Sequence, residues 1–250
     1  MSVQTFYDEF FTRADASPAH AQLCERVYGQ NLCQHGMADM KQIEMLLERL
    51  AIRPKDRILD LGCGNGYLTE YLHDRQPACY TGIDISEVAI QQARQRVAAA
   101  TKRLHFQVGD ISRLDEPEQS FDTIISIDSH YFIEPLEPWL EMLYALLKPG
   151  GRLAIFSDEG RGIEGADESR LDAEETLMAQ RFSQVGYRFT SVNFSAENRA
   201  HWRLKQQVAE ELREAFFAED NEFLYQNRLG ECTQSNRDFD CRFLFLVHKS

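Results

Sequence analysis

The 250-residue chain has no C-x-x-C pair. Its six cysteines, Cys24, Cys33, Cys63, Cys79, Cys232 and Cys241, are scattered, and no Cys/His spacing suits zinc. No metal is expected, and unpaired thiols make the reducing cytoplasm the default compartment. The opening MSVQTFYDEFFTRADASPAH lacks a basic segment followed by a long apolar stretch, so it does not read as a secretory signal. No apolar run is long enough to span a bilayer. Positive charge is scarce: 27 Lys and Arg face 40 Asp and Glu, for a formal net charge of -13. Such a chain repels nucleic-acid phosphates and anionic lipid, and no basic stripe accompanies its aromatics. Neither nucleic acid nor a membrane is expected as a partner. Internal repeats and low-complexity tracts are missing too.

What is present is a chain that is 43% hydrophobic, enough for one α/β core with a small cap. Residues 19–50 read mostly as helices, with breaks near Gly29 and at Gln34 to Gly36, and Arg53-Pro54 stops the last of them. A strand–helix alternation then begins. RILDLG, CYTGIDI, LHFQVGDI, FDTIISID and RLAIFSD read as strands, and NGYLTEYLHDR, EVAIQQARQRVAAA and about 138–147 as helices. Crossovers of this length imply a parallel sheet covered on both faces. The polar, glycine-rich stretch 158–170 reads as a loop. LDAEETLMAQRFSQVG reads as a helix, YRFTSVNFS as a strand, 196–231 as helices broken near Asp220-Asn221, and DFDCRFLFLVHKS as a closing strand. One domain is expected, with an N-terminal helical cap segment over 1–52, a ligand-binding core over 53–158 and a C-terminal half over 159–250 whose helices at about 196–229 join the cap.

Three acids stand at successive strand ends: Asp60, Asp84 and Asp110. In an open parallel sheet this is where ligands bind. Asp60 is followed by Gly62, Gly64 and Gly66, spaced G-x-G-x-G. Dinucleotide binders use G-x-G-x-x-G, and here Tyr67 stands where that pattern wants a small residue. Asp60 is also a poor neighbour for a pyrophosphate. A nicotinamide oxidoreductase is disfavoured on both counts. An acid there suits a ligand with cationic groups, such as the amine and sulfonium of S-adenosylmethionine. Asp84 then suits ribose hydroxyls, and Asp110 an adenine amine.

The segment DLGCGNG resembles the first motif of class I S-adenosylmethionine-dependent methyltransferases. GIDIS, GDIS, FDTIISID and LLKPGGRLAIFSD are similar to the later motifs, in order, over about residues 56–158. The resemblance implies a Rossmann-like, seven-stranded, mostly parallel sheet with helices on both faces, an antiparallel last strand supplied by CRFLFLVHK, and a helical cap. It implies S-adenosylmethionine as cofactor and S-adenosylhomocysteine as product. By the resemblance Asp60, Gly62 and Gly64 line the methionine portion, Asp84 and Ile85 hold the ribose and adenine edge, Asp110 and Ile111 the adenine, Ser126 follows the ligand at the fourth strand, and Cys63, Gly66, Ile127 and His35 also bind the cofactor.

The acceptor site is not shared across that family. YGQNLCQHG, Tyr28 to Gly36, is similar in position to the polar turn of phosphoethanolamine and sarcosine/glycine methyltransferases that closes over the cofactor, which would engage Tyr28 and His35. Alternatively Gly36 is a helix C-cap with His35 beside it. IDSHYFIE places Asp128 and His130 at the crevice mouth, as proton-handling groups or as a turn cap and a packed ring. Late aromatics such as Trp202, Phe216, Phe223 and Tyr225 read as cap core. The expected function is N- or O-methylation of a small-molecule acceptor by a monomer or homodimer. The alternative is a non-catalytic nucleoside-binding subunit.

Overall fold

Alternating buried residues in the strands serve two different helical layers. The computed structural model describes residues 1–97, 102–159, 172–233 and 241–249. Seven strands form one sheet: β1 (Arg57–Leu61), β2 (Cys79–Asp84), β3 (Leu104–Val108), β4 (Phe121–Ile127), β5 (Leu147–Glu159), β6 (Phe189–Asn193) and β7 (Cys241–His248). Their order is β3-β2-β1-β4-β5-β7-β6. The first five are parallel, and β7 runs antiparallel to both β5 and β6. The last strand in sequence therefore lies inside the sheet, and β6 forms one edge, opposite β3.

Leu59, Leu61, Ile124, Leu153, Ile155, Phe243 and Phe245 face one way. They pack on α6 (Leu136–Leu146) and α7 (Leu177–Gln184). Ile58, Tyr80, Ile125, Phe156, Leu244 and Leu246 face the other way. They pack on α3 (Met40–Leu50), α4 (Tyr67–Arg75) and α5 (Glu87–Val97). This is the period-two rule of a strand buried on both sides.

A third apolar cluster is the cap. It joins α1 (Val3–Ala14) and α2 (Pro18–Tyr28) to α8 (Ser195–Glu211), α9 (Arg213–Ala218) and α10 (Glu222–Thr233) through Phe10, Leu23, Val208, Phe216 and Leu224. The late helical stretch thus breaks at Leu212 as well as at Asp220-Asn221. Helix α1 was not read from the sequence. Its signals are an N-cap, with the Ser2 side chain accepting from the Thr5 amide, and buried Phe10, Phe11 and Ala14. Of the polar loop expected over 158–170, Asp158 and Glu159 finish β5, and the rest lies outside the described residues.

Candidate functional site: two adjoining cavities beyond the strand ends

Strand order reverses between β1 and β4, and the loops after β1, β2, β3 and β4 gather there. The Gly62 and Cys63 amides donate to the Ile83 carbonyl at 2.8 and 3.1 Å. The Gly64 amide donates to Asp84 Oδ2 at 2.8 Å, and the Ser86 amide to Asp84 Oδ1 at 2.9 Å. One carboxylate therefore ties the glycine loop to the β2 turn. Gly62 and Gly64 have φ of +72 and +55°, and a Cβ on Gly64 would lie 2.7 Å from Phe11 Cζ of α1. Gly66 serves packing instead: a Cβ there would meet Phe106 at 2.7 Å and Ala93 at 2.9 Å.

The first cavity, of 340 Å³, is lined by Asp60, Gly62, Cys63, Gly64, Asp84, Ile85, Asp110, Ile111, Ile127 and Asp128 from the strand ends. His35 and Gly36 add the turn before α3, and Val3, Tyr7 and Phe11 add α1. Four carboxylates line it, and no Lys or Arg does among the described residues. Asp60 accepts from Thr69 Oγ1 at 2.6 Å. Burial pushes its pKa up to about 6; the Thr69 bond opposes this and the Asp84 charge adds to it. Asp84 is likewise raised, first by burial. Asp110 stands exposed on the rim, accepting from the Ser112 amide at 2.9 Å.

The second cavity, of 730 Å³, shares Tyr7, His35, Gly36, Asp128, Phe132 and Ile133 with the first. His130 lines it, with Nε2 3.4 Å from Ser157 Oγ and a buried Nδ1 that has no hydrogen-bond partner. Burial pushes the His130 pKa down to about 4, so the ring is neutral at pH 7. His35 is also held neutral, at about 3, by burial, although its Nε2 lies 3.2 Å from Glu231 Oε1. Asp128 is not a free acid. Arg242 of β7 grips both its oxygens at 2.7 and 2.9 Å, the Met37 amide donates at 2.7 Å, and Tyr131 Oη at 3.1 Å.

A family model described as the methyltransferase domain matches residues 58–151. The 27-O-demethylrifamycin SV methyltransferase of Amycolatopsis mediterranei is 30% identical, over 74% of this chain and 69% of its own. The chain belongs to the S-adenosylmethionine-dependent methyltransferases. Phosphoethanolamine N-methyltransferase 1 of Arabidopsis thaliana is 30% identical over 52% of this chain. The match spans only 26% of that plant protein. A Haemonchus contortus phosphoethanolamine N-methyltransferase 2, solved with phosphomonomethylethanolamine and S-adenosylhomocysteine, superposes with a TM-score of 0.72. It is 20% identical, and the match covers 97% of this chain and 60% of that one, so it speaks for the fold.

The first cavity of this methyltransferase fits its cofactor. Its acid-rich, cation-free wall suits a ligand carrying an ammonium and a sulfonium and does not suit a pyrophosphate. Two of the residues expected beside the cofactor, Gly66 and Ser126, line neither cavity; Ser126 Oγ lies 2.9 Å from Ser129 Oγ. Tyr28, expected as a catalytic candidate, also lines neither. It is buried in the cap, and its hydroxyl has no partner. Sequence reasoning missed Val3, Tyr7 and Phe11, whose only signal is the helical stripe of α1, and Ser129 and Phe132 next to residues that were expected. Among the described residues no helix is long and apolar enough to cross a membrane.

Proposed function

We propose that this methyltransferase moves a methyl group to a small-molecule acceptor held in the second cavity, with His130 receiving the acceptor's proton. The observation that carries this reading is the pair of cavities: one acid-lined at the strand ends, one beside it holding a buried, neutral, unpartnered imidazole nitrogen. When bound, S-adenosylmethionine supplies an activated methyl on a sulfonium. The chain's own residues do the rest. Asp84 accepts the ribose hydroxyls, and Asp110 with Ile85 and Ile111 holds the adenine edge. Asp60 balances the positive charge at the methionine end, with Gly62, Cys63 and Gly64 giving close backbone approach and His35 closing over it. Tyr7 and Phe132, on the shared wall, exclude water and fix the line of approach. The acceptor oxygen or nitrogen gains a bond to carbon while the sulfur–carbon bond breaks, the electron pair stays on sulfur, and the acceptor proton passes to Nδ1 of His130.

The six cysteines are all free, which supports a reducing, cytoplasmic setting. We also read the chain as one domain acting as a monomer or homodimer. The test is transfer of labelled methyl from S-adenosylmethionine to a cell-extract metabolite pool, with His130→Ala as the control. A labelled metabolite with the wild type, lost with the control, is expected. Tight cofactor binding with no labelled product from any extract would favour a non-catalytic subunit.

A further inference from the structure

The chemistry of the second cavity narrows the acceptor. Its apolar wall includes Met37, Ile133, Leu136, Met178 and Trp202. Two lining residues at its mouth are apolar and open to solvent: Phe132 is 60% exposed and Leu177 54%. Exposed apolar side chains of this size beside a cavity mark a surface that something apolar covers. The charge there is of the wrong sign for an anion. Glu134 and Asp158 line the cavity, and Glu231, which also lines it, is matched by cations behind the wall. The one cation among the described lining residues, Arg181, is already engaged by Glu137. Lys205 and Arg228, behind the wall, are both committed to Glu231, at 2.5 and 2.9 Å. A phosphate or carboxylate entering here would be desolvated with no unengaged cation among the described lining residues to receive it.

We propose that the acceptor is a neutral, phosphate-free molecule with a bulky apolar body, whose hydroxyl enters beside His130 while its body covers Phe132 and Leu177. This rests on the function proposed above and adds the acceptor's class. It sets the chain apart from relatives named for phosphoethanolamine. At 730 Å³ the cavity holds far more than an aminoethanol skeleton, and its mouth lets a larger body extend outward.

The test is a binding series by titration calorimetry on the full chain saturated with S-adenosylhomocysteine, using phenol, 2-naphthol, estradiol and phosphoethanolamine. Affinity is expected to rise at least about tenfold from phenol to estradiol as buried apolar area grows, and phosphoethanolamine to bind about tenfold more weakly than naphthol. Leu177→Asp should weaken estradiol by about fivefold and Leu177→Met should restore it, since only the former puts charge on the apolar mouth. S-adenosylhomocysteine affinity should stay at the wild-type value in both variants. A flat or falling series, a preference for phosphoethanolamine, or indifference of estradiol to Leu177→Asp would overturn the assignment. Failure of the wild type to bind S-adenosylhomocysteine would instead bring down the underlying function, so the two failures are distinguishable.

Discussion

Asp60 shows how one residue sets function against stability. Its folded pKa of about 6 stands above the unfolded value of 3.8, chiefly because it is buried. Between those values the folded, ligand-free chain binds more protons than the unfolded one. Stability therefore falls as pH rises through the window, by about 3 kcal/mol for a two-unit shift. Asp60→Asn should raise the ligand-free stability at pH 7.5 by about 1–3 kcal/mol and weaken S-adenosylmethionine more than S-adenosylhomocysteine, because only the former carries the sulfonium charge. Urea unfolding and calorimetry check this, and a variant equal to wild type in both would remove Asp60 from the charge balance. His130 behaves differently. Burial holds it near 4, so the base is already free at neutral pH. The rate of methyl transfer should stay flat from about pH 5 upward, with no limb at the ordinary histidine pKa of about 6.5. His130→Ala should lower the single-turnover rate by about a hundredfold to ten-thousandfold with cofactor affinity unchanged. A limb near 6.5 in the wild type, or a variant with full rate, would assign the proton elsewhere.

At the scale of elements, the sequence was legible where local pattern and tertiary role coincide. Each parallel strand is an apolar run closed by an acid or glycine, so β1 to β5 and the acids Asp60, Asp84 and Asp110 could be read in order. Helix α1 could not. Its stripe gains meaning only from partners far along the chain: Asp8 Oδ1 accepts from Ser86 Oγ at 2.7 Å and from the Val88 amide at 3.3 Å, and Gln92 Nε2 donates to the Phe11 carbonyl at 3.1 Å. For the same reason Gly64 reads in sequence as space for ligand alone, whereas Phe11 of α1 already crowds it. Ser86 also follows the Asp84 turn, so α1 is fastened to the segment proposed to hold the ribose. Two consequences are expected in hydrogen exchange. S-adenosylhomocysteine should protect α1 amides along with the strand-end loops, and Asp8→Ala should speed α1 exchange while the β-strand amides keep wild-type rates. The variant should also lose cofactor affinity by about three- to tenfold, less than the full worth of a hydrogen bond to a charged group because Asp8 acts on the cofactor segment only through Ser86. Protection confined to the loops would show that α1 packs there without responding to the cofactor.

At the scale of the whole molecule, the last strand reaches back to hold the site. Arg242 on β7 is fully buried, and its guanidinium takes both oxygens of Asp128, 114 residues earlier at the end of β4. Its Nε donates to Gln42 of α3 at 2.7 Å, and Asp128 also receives the Met37 amide. No local pattern could announce such a pair, which is why Asp128 read in sequence as a proton-handling group or a turn cap and not as the partner of Arg242. The clasp fixes Asp128 at a φ of +55°, a strained value for a residue with a side chain, and sets the turn in which Gly36 lines both cavities and Met37 the second. Burial alone would raise the Asp128 pKa, but the Arg242 charge outweighs it and holds the group below the usual carboxylate range. The folded pKa is thus depressed, so the clasp stabilises fully above the unfolded pKa of 3.8 and is lost as pH falls through the folded value. Arg242→Met strands a buried carboxylate and should cost about 3–5 kcal/mol. Asp128→Leu combined with Arg242→Met removes both charges and should recover part of that loss, since a buried pair is often worth no more than apolar side chains of similar volume, while leucine at a φ of +55° and the unpaired Met37 amide hold back the rest. Methyl transfer should not recover with it, because the Met37 amide then has no acceptor and the shared wall is free to shift. Denaturant unfolding and single-turnover rates on the three proteins separate the outcomes: full rate in the stable double variant would make the clasp a matter of folding alone, and recovered stability without rate would make it the part of the fold that shapes the passage between cofactor and acceptor.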